Sequence, residues 1–332
     1  MFDLADFSKY RSQLMGFAAI LILLCHSWYC IDFPASVKYI IVSCNVGVDV
    51  FLLLSGIGLF FSLEKRKSSL KKWYSHRFLR IGIPFLVLIG LEYLFAWYLG
   101  EVSFVRFFFT MTTLGYWFYH DGAWFVSLLV PLYFLSPLLY SIRKCKHGVF
   151  YLTLLLILFV VVGKIDAPHN NSCFLYNFTF ALQKCPSFII GLIFAPWVVE
   201  GRKINFFYLL IAGLLLKFIL SRFCGVSGSA AFFVLVIPIC LCLCYICQQI
   251  ESIGLSDRGE KIGKYIGVGL SFMGKISLES YLANSFLLHI ALSISIPING
   301  CNIYLLIIII GTIISIYVRK VSLLLLKQIE KK

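Results

Sequence analysis

The sequence predicts an all-α membrane protein, a polytopic bundle of about ten transmembrane helices. Of its 332 residues, 61% are hydrophobic and only 13% are charged, whereas soluble globular proteins carry about a quarter charged residues. The apolar residues form long runs, and a membrane-spanning helix needs about 20 such residues in succession. The basic residues lie in short clusters between these runs. No soluble domain interrupts this pattern, so we expect one transmembrane domain over residues 1–332.

Ten apolar segments are candidate spans, of which the fifth is short. In chain order they are Leu14–Ile31, Asn45–Leu63, Ile81–Leu99, Ala123–Ile142, Val149–Gly163, Tyr176–Val198, Asn205–Leu220, Ser229–Gln248, Ser271–Ile294 and Ile303–Val318. Each odd-numbered span follows a basic cluster, and each even-numbered span is followed by one. This alternation indicates that all basic clusters lie on the same side of the membrane.

Lysine and arginine are enriched in cytoplasmic loops. With both termini cytoplasmic, the inner segments hold 23 of the 29 Lys and Arg residues. The apolar stretch Phe107–Phe118 is too short to cross and is typical of an interfacial or re-entrant segment. If it crossed, the cluster at Arg143–Lys146 would lie outside. We therefore predict ten spans with both termini in the cytoplasm.

The net charge of +14 does not indicate nucleic-acid binding. The basic clusters flank apolar segments, which is typical of loops beside acidic lipid. We expect membrane lipid, and no nucleic acid, among the partners.

Most of the twelve cysteines lie inside apolar runs. Cys240, Cys244 and Cys247 share one helical face without a histidine or carboxylate, so we expect them to pack and expect no metal site. Four other cysteines fall in or near predicted outer loops, where a disulfide can form in an oxidising compartment: Cys30, Cys173, Cys224 and Cys301.

Two ionisable residues lie near the outer ends of the first two spans. His26 follows Arg11 by fifteen residues, about 22 Å along a helix, and Asp49 opens the second span after a short connection. Ionisable groups inside a membrane are costly and usually functional. A histidine with a carboxylate partner can act as a general base. The alternative is that His26 only hydrogen-bonds for helix packing.

Arg77 and Arg80 lie on one helical face at the cytoplasmic entry of the third span. Paired guanidinium groups suit a phosphate-bearing ligand. The alternative is an anchor to lipid head groups.

Several other polar or aromatic residues are candidates to line a cavity. They are Glu92 in the third span, Glu279, Asn284 and His289 in the ninth, and Trp124 at the outer side. Intramembrane polar residues are expected to face the bundle interior. Trp124 suits an interfacial aromatic belt and equally a surface that stacks on a sugar.

Four segments resemble the acyltransferase-3 family of bacterial integral-membrane acyltransferases, which includes O-acetyltransferases of surface polysaccharides. Met15–His26 resembles the first span with the family's essential histidine, and Asn45–Gly56 resembles its G-V-D-x-F-F-x-x-S-G run. Arg77–Pro84 resembles its R-F-x-R-I entry, and Gly274–Leu282 its late G-x-x-S-x-x-x-Y-L segment. Arg11 lies one turn before the position of the family's common arginine.

The resemblance implies an enzyme of the bacterial cytoplasmic membrane that transfers an acyl group to a glycan. The acyl donor is then a cytoplasmic acyl-CoA, most often acetyl-CoA, used as a substrate with no bound cofactor. Its phosphates would contact Arg77 and Arg80 together with Arg11. His26, oriented by Asp49, would be the general base on a hydroxyl group of a cell-surface or lipid-linked glycan.

Three other functions are compatible with buried polar residues. A secondary transporter or flippase for a lipid-linked glycan is the main alternative, although such proteins are typically built from repeats and none is evident here. A structural membrane subunit would use the buried charges only to hold helices together. A glycan polymerase is expected to carry a large outer loop with arginines, whereas the outer segment Gly100–Gly122 holds only Arg106.

Overall fold

In a computed structural model, the protein is an array of helices with one minimal pair of strands. The structure describes residues 1–165, 174–253, 260–293 and 300–330. The helices are α1 Asp6–Lys9, α2 Arg11–His26, α3 Ala35–Ser43, α4 Val46–Glu64, α5 Leu70–Tyr98, α6 Phe104–Met111, α7 Leu114–Tyr119, α8 Trp124–Lys144, α9 Gly148–Gly163, α10 Phe174–Leu182, α11 Cys185–Val199, α12 Phe206–Arg222, α13 Val236–Ile253, α14 Glu260–Lys275, α15 Ser277–Ser293 and α16 Cys301–Glu330. Short 3-10 helices cover Ser27–Tyr29 and Ala230–Leu235. The strands β1 Phe2–Asp3 and β2 Lys203–Ile204 pair antiparallel.

Among the described residues, seven helical segments are long and apolar enough to cross a membrane. They are Arg11–Tyr29, Ala35–Glu64, Leu70–Tyr98, Trp124–Lys144, Phe174–Val199, Ala230–Ile253 and Cys301–Ile329. These coincide with seven of the ten predicted spans, and the protein is a multi-pass membrane protein. The other three predicted spans fall on the shorter helices α9, α12 and α15, of 16, 17 and 17 residues. The count of ten and the orientation of the termini stay predictions.

In two places that bear on the site, the helix bounds differ from the predicted spans. The third span was expected from Ile81, but α5 already begins at Leu70, where the Ser69 hydroxyl accepts a hydrogen bond from the backbone N–H of Lys72. The ninth was expected from Ser271, but the helix breaks at Ile276 between α14 and α15. The segment before Ser271, expected to be an inner loop, contains most of the amphipathic helix α14, which packs along α2.

The stretch Phe107–Phe118 does not form a helix long enough to cross a membrane. It forms parts of α6 and α7, of eight and six residues, with Thr113 between them in the left-handed conformation at φ 63°. Arg106 donates two hydrogen bonds to the Asp121 carboxylate, and these raise the pKa of the guanidinium. This charge pair fastens α6 to the start of α8.

Two pairs of helices approach so closely that their backbones touch. A Cβ at Gly56 of α4 would overlap the Phe188 carbonyl oxygen of α11, and one at Gly191 would overlap that of Leu53. Likewise, Gly274 of α14 lies against the backbone of α2 at Ser12. Small residues permit such close contacts between membrane helices. The contacts join α4 to α11 and α14 to α2, and residues of α2 and α4 form part of the wall of the cavity described below.

The cysteines that the sequence predicted to pack are buried. Cys240, Cys244 and Cys247 are buried in the main apolar core. Cys30, Cys224 and Cys301 are free thiols, whereas Cys173 lies outside the described residues.

Candidate functional site

A cavity of about 570 Å³ runs between the helices, with walls from α2, α4, α5, α8, α14, α15 and α16. Two groups of side chains divide it. The group that we call the basic end consists of Arg11, Arg77, Arg80, Lys275, Glu279 and Arg319. The group that we call the histidine end consists of His26, Trp28, Tyr29, Asn45, Trp124, Phe180 and Tyr281.

Five cations and a single carboxylate make the basic end strongly positive. Arg77 and Arg80 come from consecutive turns of α5, and Arg11 is within electrostatic range of both. Arg319 donates a hydrogen bond to the Lys275 carbonyl oxygen, and its Nη1 lies 3.7 Å from Oε1 of Glu279. Such a convergence of cations favours a ligand with several negative charges.

Arg11 is held with its donors still available. Its Nη2 donates to the Leu54 carbonyl oxygen at 3.3 Å. Its Nε is buried and has no hydrogen-bond partner among the described residues. Gly58 makes room for the guanidinium, because a Cβ there would lie 2.7 Å from Nη2. A buried guanidinium donor without a partner is costly, and an anionic ligand in the cavity would supply one.

At the other end, His26 is the last residue of α2 and half-buried. Its ring centroid lies 6.2 Å from that of Tyr29 and 6.5 Å from that of Tyr281. Within the described part of the chain, neither ring nitrogen of His26 is in a hydrogen bond. The imidazole can therefore accept or donate a proton toward the cavity.

Aromatic rings surround this end. The rings of Trp28 and Tyr29 lie tilted by 31° with centroids 4.1 Å apart, and Trp124 and Phe180 meet edge to face with centroids 5.5 Å apart. Flat apolar faces beside polar tips suit a ligand with both apolar and hydroxyl surfaces.

Asp49 is not part of the cavity wall. It is fully buried, with Oδ2 at 2.8 Å from Nζ of Lys184 and Oδ1 accepting from the Ser187 hydroxyl at 2.7 Å. Both carboxylate oxygens are thus engaged with α11 and the residue before it. The structure does not bring Asp49 to His26, since its helical face turns from the cavity towards α11.

Of the five further candidates, the structure places Trp124 and Glu279 in the cavity wall and the other three elsewhere. Glu92 Oε1 lies 2.7 Å from Nδ1 of His289, which joins α5 to α15. Asn284 is buried against Gly311 of α16 and donates to the Ser280 carbonyl oxygen at 2.8 Å. Helix-to-helix contacts explain both positions.

Sequence reasoning did not assign Lys275, Arg319 and Asn45 to the site. Lys275 and Arg319 follow the general enrichment of cations at one side of the membrane, and nothing local separates them from neighbours such as Lys320. Asn45 carried a usable signal, because it is an uncharged polar residue four positions before Asp49 in a motif-bearing segment.

Comparison with known proteins gives one match. A family model described as an acyltransferase domain covers residues 14–320, nearly the whole chain. No curated protein and no solved structure matches.

Proposed function

This chain belongs to the acyltransferase-3 family and is a membrane acyltransferase, and we propose that it moves an acetyl group from acetyl-CoA to a hydroxyl group of a cell-envelope glycan. The family match confirms the resemblance drawn from the four sequence segments. We further propose that the enzyme works in the bacterial cytoplasmic membrane, with its donor on the cytoplasmic side.

One observation carries this proposal: the basic end and His26 belong to the same cavity. Arg11 and His26 are the first and last residues of α2, which places them about 22 Å apart along its axis. A ligand that occupies both ends needs its anionic part far from its reactive part. Acetyl-CoA has this form, because a long pantetheine arm separates its phosphates from the thioester.

In the proposed complex, the phosphates of acetyl-CoA contact Arg77, Arg80 and Arg11, with Lys275 and Arg319 close by. Arginine pairs bidentately with phosphate oxygens, which fixes the donor as well as attracting it. The buried Nε of Arg11 then gains an acceptor. The thioester extends along the cavity towards His26.

His26 acts as the general base. Its free ring nitrogen accepts the proton of the glycan hydroxyl while the hydroxyl oxygen attacks the thioester carbonyl carbon. The carbon–sulfur bond then breaks, and the coenzyme A sulfur leaves with the proton held by the imidazolium. Products are the acetyl ester and coenzyme A, and His26 returns to its neutral form.

The acceptor enters at the histidine end. Sugar rings present an apolar face and a rim of hydroxyl groups, and such faces stack on aromatic side chains. Trp124 and the Trp28–Tyr29 pair offer these surfaces beside His26. We propose that they hold the glycan while one hydroxyl reaches the imidazole.

The test compares the host's surface glycan in a deletion strain that carries the wild-type chain, His26→Ala or His147→Ala. His147 is an exposed histidine outside the cavity and is the matched control. Mass spectrometry should show an added acetyl mass with the wild type and His147→Ala. With His26→Ala, acetylation should fall by a factor of about 10²–10⁴, the usual contribution of a general base.

Accumulation of each variant in the membrane is measured in parallel. Full acetylation with His26→Ala would show that His26 is not the general base. Unchanged acetylation in the deletion strain, with less glycan at the surface, would favour a transporter instead.

A further inference from the structure

We infer that Asn45 is a second catalytic residue of this site, whose side-chain amide donates a hydrogen bond to the thioester carbonyl oxygen as the acyl group is transferred. The inference rests on the proposed function, because it assumes a thioester beside His26. It adds a stabiliser of the developing negative charge, which the proposed mechanism otherwise lacks.

Asn45 lies at the level of His26. The helices α2 and α4 are antiparallel and in direct contact: a Cβ at Gly47 would meet the Ala18 carbonyl oxygen and the Ile22 side chain. Further along, the Cys25 thiol lies 3.6 Å from the Val42 carbonyl oxygen. The residue after Cys25 is His26, and Asn45 lies between Val42 and Gly47. Both side chains line the same cavity.

The cavity face of α4 contains few polar side chains. Asn45, directly before α4, and Val48, Phe51, Ser55 and Gly58 within it recur at helical spacing along that wall. Ser55 lies one residue from Leu54, whose carbonyl oxygen accepts from Arg11, and therefore belongs to the level of the basic end. Asn45 is the polar side chain that this wall supplies near His26.

The amide of Asn45 has no structural task. Asparagine before a helix normally caps it by accepting hydrogen bonds from the first N–H groups. Here Asn45 has helical angles, φ −54° and ψ −16°, and its side chain makes no capping hydrogen bond. The backbone continues from the preceding turn instead, with Gly47 N–H donating to the Cys44 carbonyl oxygen and Val48 N–H to that of Asn45. Within the described residues, the Asn45 side chain is in no hydrogen bond.

An unused amide at this place fits the chemistry of acyl transfer. When the hydroxyl oxygen attacks, negative charge develops on the former carbonyl oxygen. Asparagine side chains are among the donors that stabilise such an oxyanion, and removal of one donor lowers kcat by a factor of about 10²–10³. His26 cannot serve both purposes, because its ring takes the proton from the nucleophile.

The experiment measures transfer of radiolabelled acetyl groups from acetyl-CoA to the host's own envelope glycan in membrane vesicles. The variants are Asn45→Ala, Asn45→Asp and the control Ser43→Ala. The Ser43 hydroxyl is near Asn45 in the sequence and donates to the Tyr39 carbonyl oxygen within α3. For Asn45→Ala and Asn45→Asp we expect kcat to fall by about 10²–10³, with an unchanged KM for acetyl-CoA. Ser43→Ala should match the wild type.

Aspartate distinguishes the amide donor from a structural role. Aspartate has nearly the size and shape of asparagine, but as a carboxylate it only accepts hydrogen bonds. Retained kcat in Asn45→Asp would therefore overturn the inference. It would also be overturned if the variants raise only the KM of the glycan, or if Tyr281→Phe loses kcat and Asn45→Ala does not.

His26→Ala is assayed alongside. If His26→Ala is inactive and Asn45→Ala is fully active, the inference fails and the proposed function stands. If His26→Ala retains full activity, the proposed general base itself fails.

Discussion

Replacing Lys184 with methionine tests whether Asp49 supports the fold rather than the chemistry. The Lys184 ammonium lies 2.8 Å from the Asp49 carboxylate and 3.2 Å from the Ser229 carbonyl oxygen. The side chains of Lys184 and Asp49 are 5% and 0% exposed. Loss of one partner leaves a buried charge uncompensated, which costs about 3–5 kcal/mol. At about 1.4 kcal/mol per factor of ten, the folding equilibrium constant should fall by roughly two to four orders of magnitude.

The assay is unfolding of purified variants by SDS in mixed micelles, followed by circular dichroism. Lys217→Met is the matched control. The Lys217 Nζ lies 3.9 Å from the centroid of the Phe232 ring, and Lys217 is in no ion pair within the described residues. The double variant Asp49→Leu/Lys184→Met should recover most of the lost stability, because apolar residues replace buried ion pairs at little cost.

Two results would refute this reasoning. A Lys184→Met protein as stable as the wild type would show that the ion pair does not support the fold. A double variant that folds normally but has no acyl-transfer activity would indicate that Asp49 has a role in catalysis.

The remaining predictions concern the donor site and the helix contacts. Arg80→Ala should raise the KM for acetyl-CoA at least about tenfold through lost phosphate contacts, each charge-assisted hydrogen bond being worth about 1.5–3 kcal/mol, whereas Arg66→Ala, outside the cavity, should not. An unchanged KM for acetyl-CoA with Arg80→Ala would indicate that Arg80 serves only as an anchor to lipid head groups. Gly191→Ala should destabilise the protein by about 1–3 kcal/mol in the same SDS assay, because its Cβ would overlap the Leu53 carbonyl oxygen. Gly82→Ala, with nothing within 4 Å of the added Cβ, should not destabilise it, and equal effects at the two sites would contradict this account of the packing.

Local patterns in the sequence predicted much of the candidate site. The apolar runs also located the seven helical segments among the described residues that are long enough to cross a membrane, because the thickness of the membrane sets their length. Arg77 and Arg80 lie three apart in a helix, and this spacing already puts them on one face. His26 was conspicuous since an ionisable group at that depth is costly.

Contacts between distant segments were not predictable in this way. Asp49 was expected beside His26 because both lie near the same ends of adjacent spans. The rotation of α4 about its axis turns Asp49 instead to Lys184, which is 135 residues away. The depth of a residue in the membrane can be inferred from its place in an apolar segment. The rotation of a helix about its axis depends instead on its packing against neighbouring helices, which the sequence does not show directly.

The sequence by itself determined the class of protein, the seven long apolar segments, the family and the two groups of residues in the candidate site. Apolar length, charge distribution and motif spacing are properties of short stretches of chain. The tertiary structure alone decided that Arg11 and His26 share one cavity and that Lys275 and Arg319 join the basic end. It also decided that Asp49 lies outside this cavity. These outcomes depend on backbone contacts at glycines such as Gly56 and Gly274, which fix how far apart and at what rotation the helices pack.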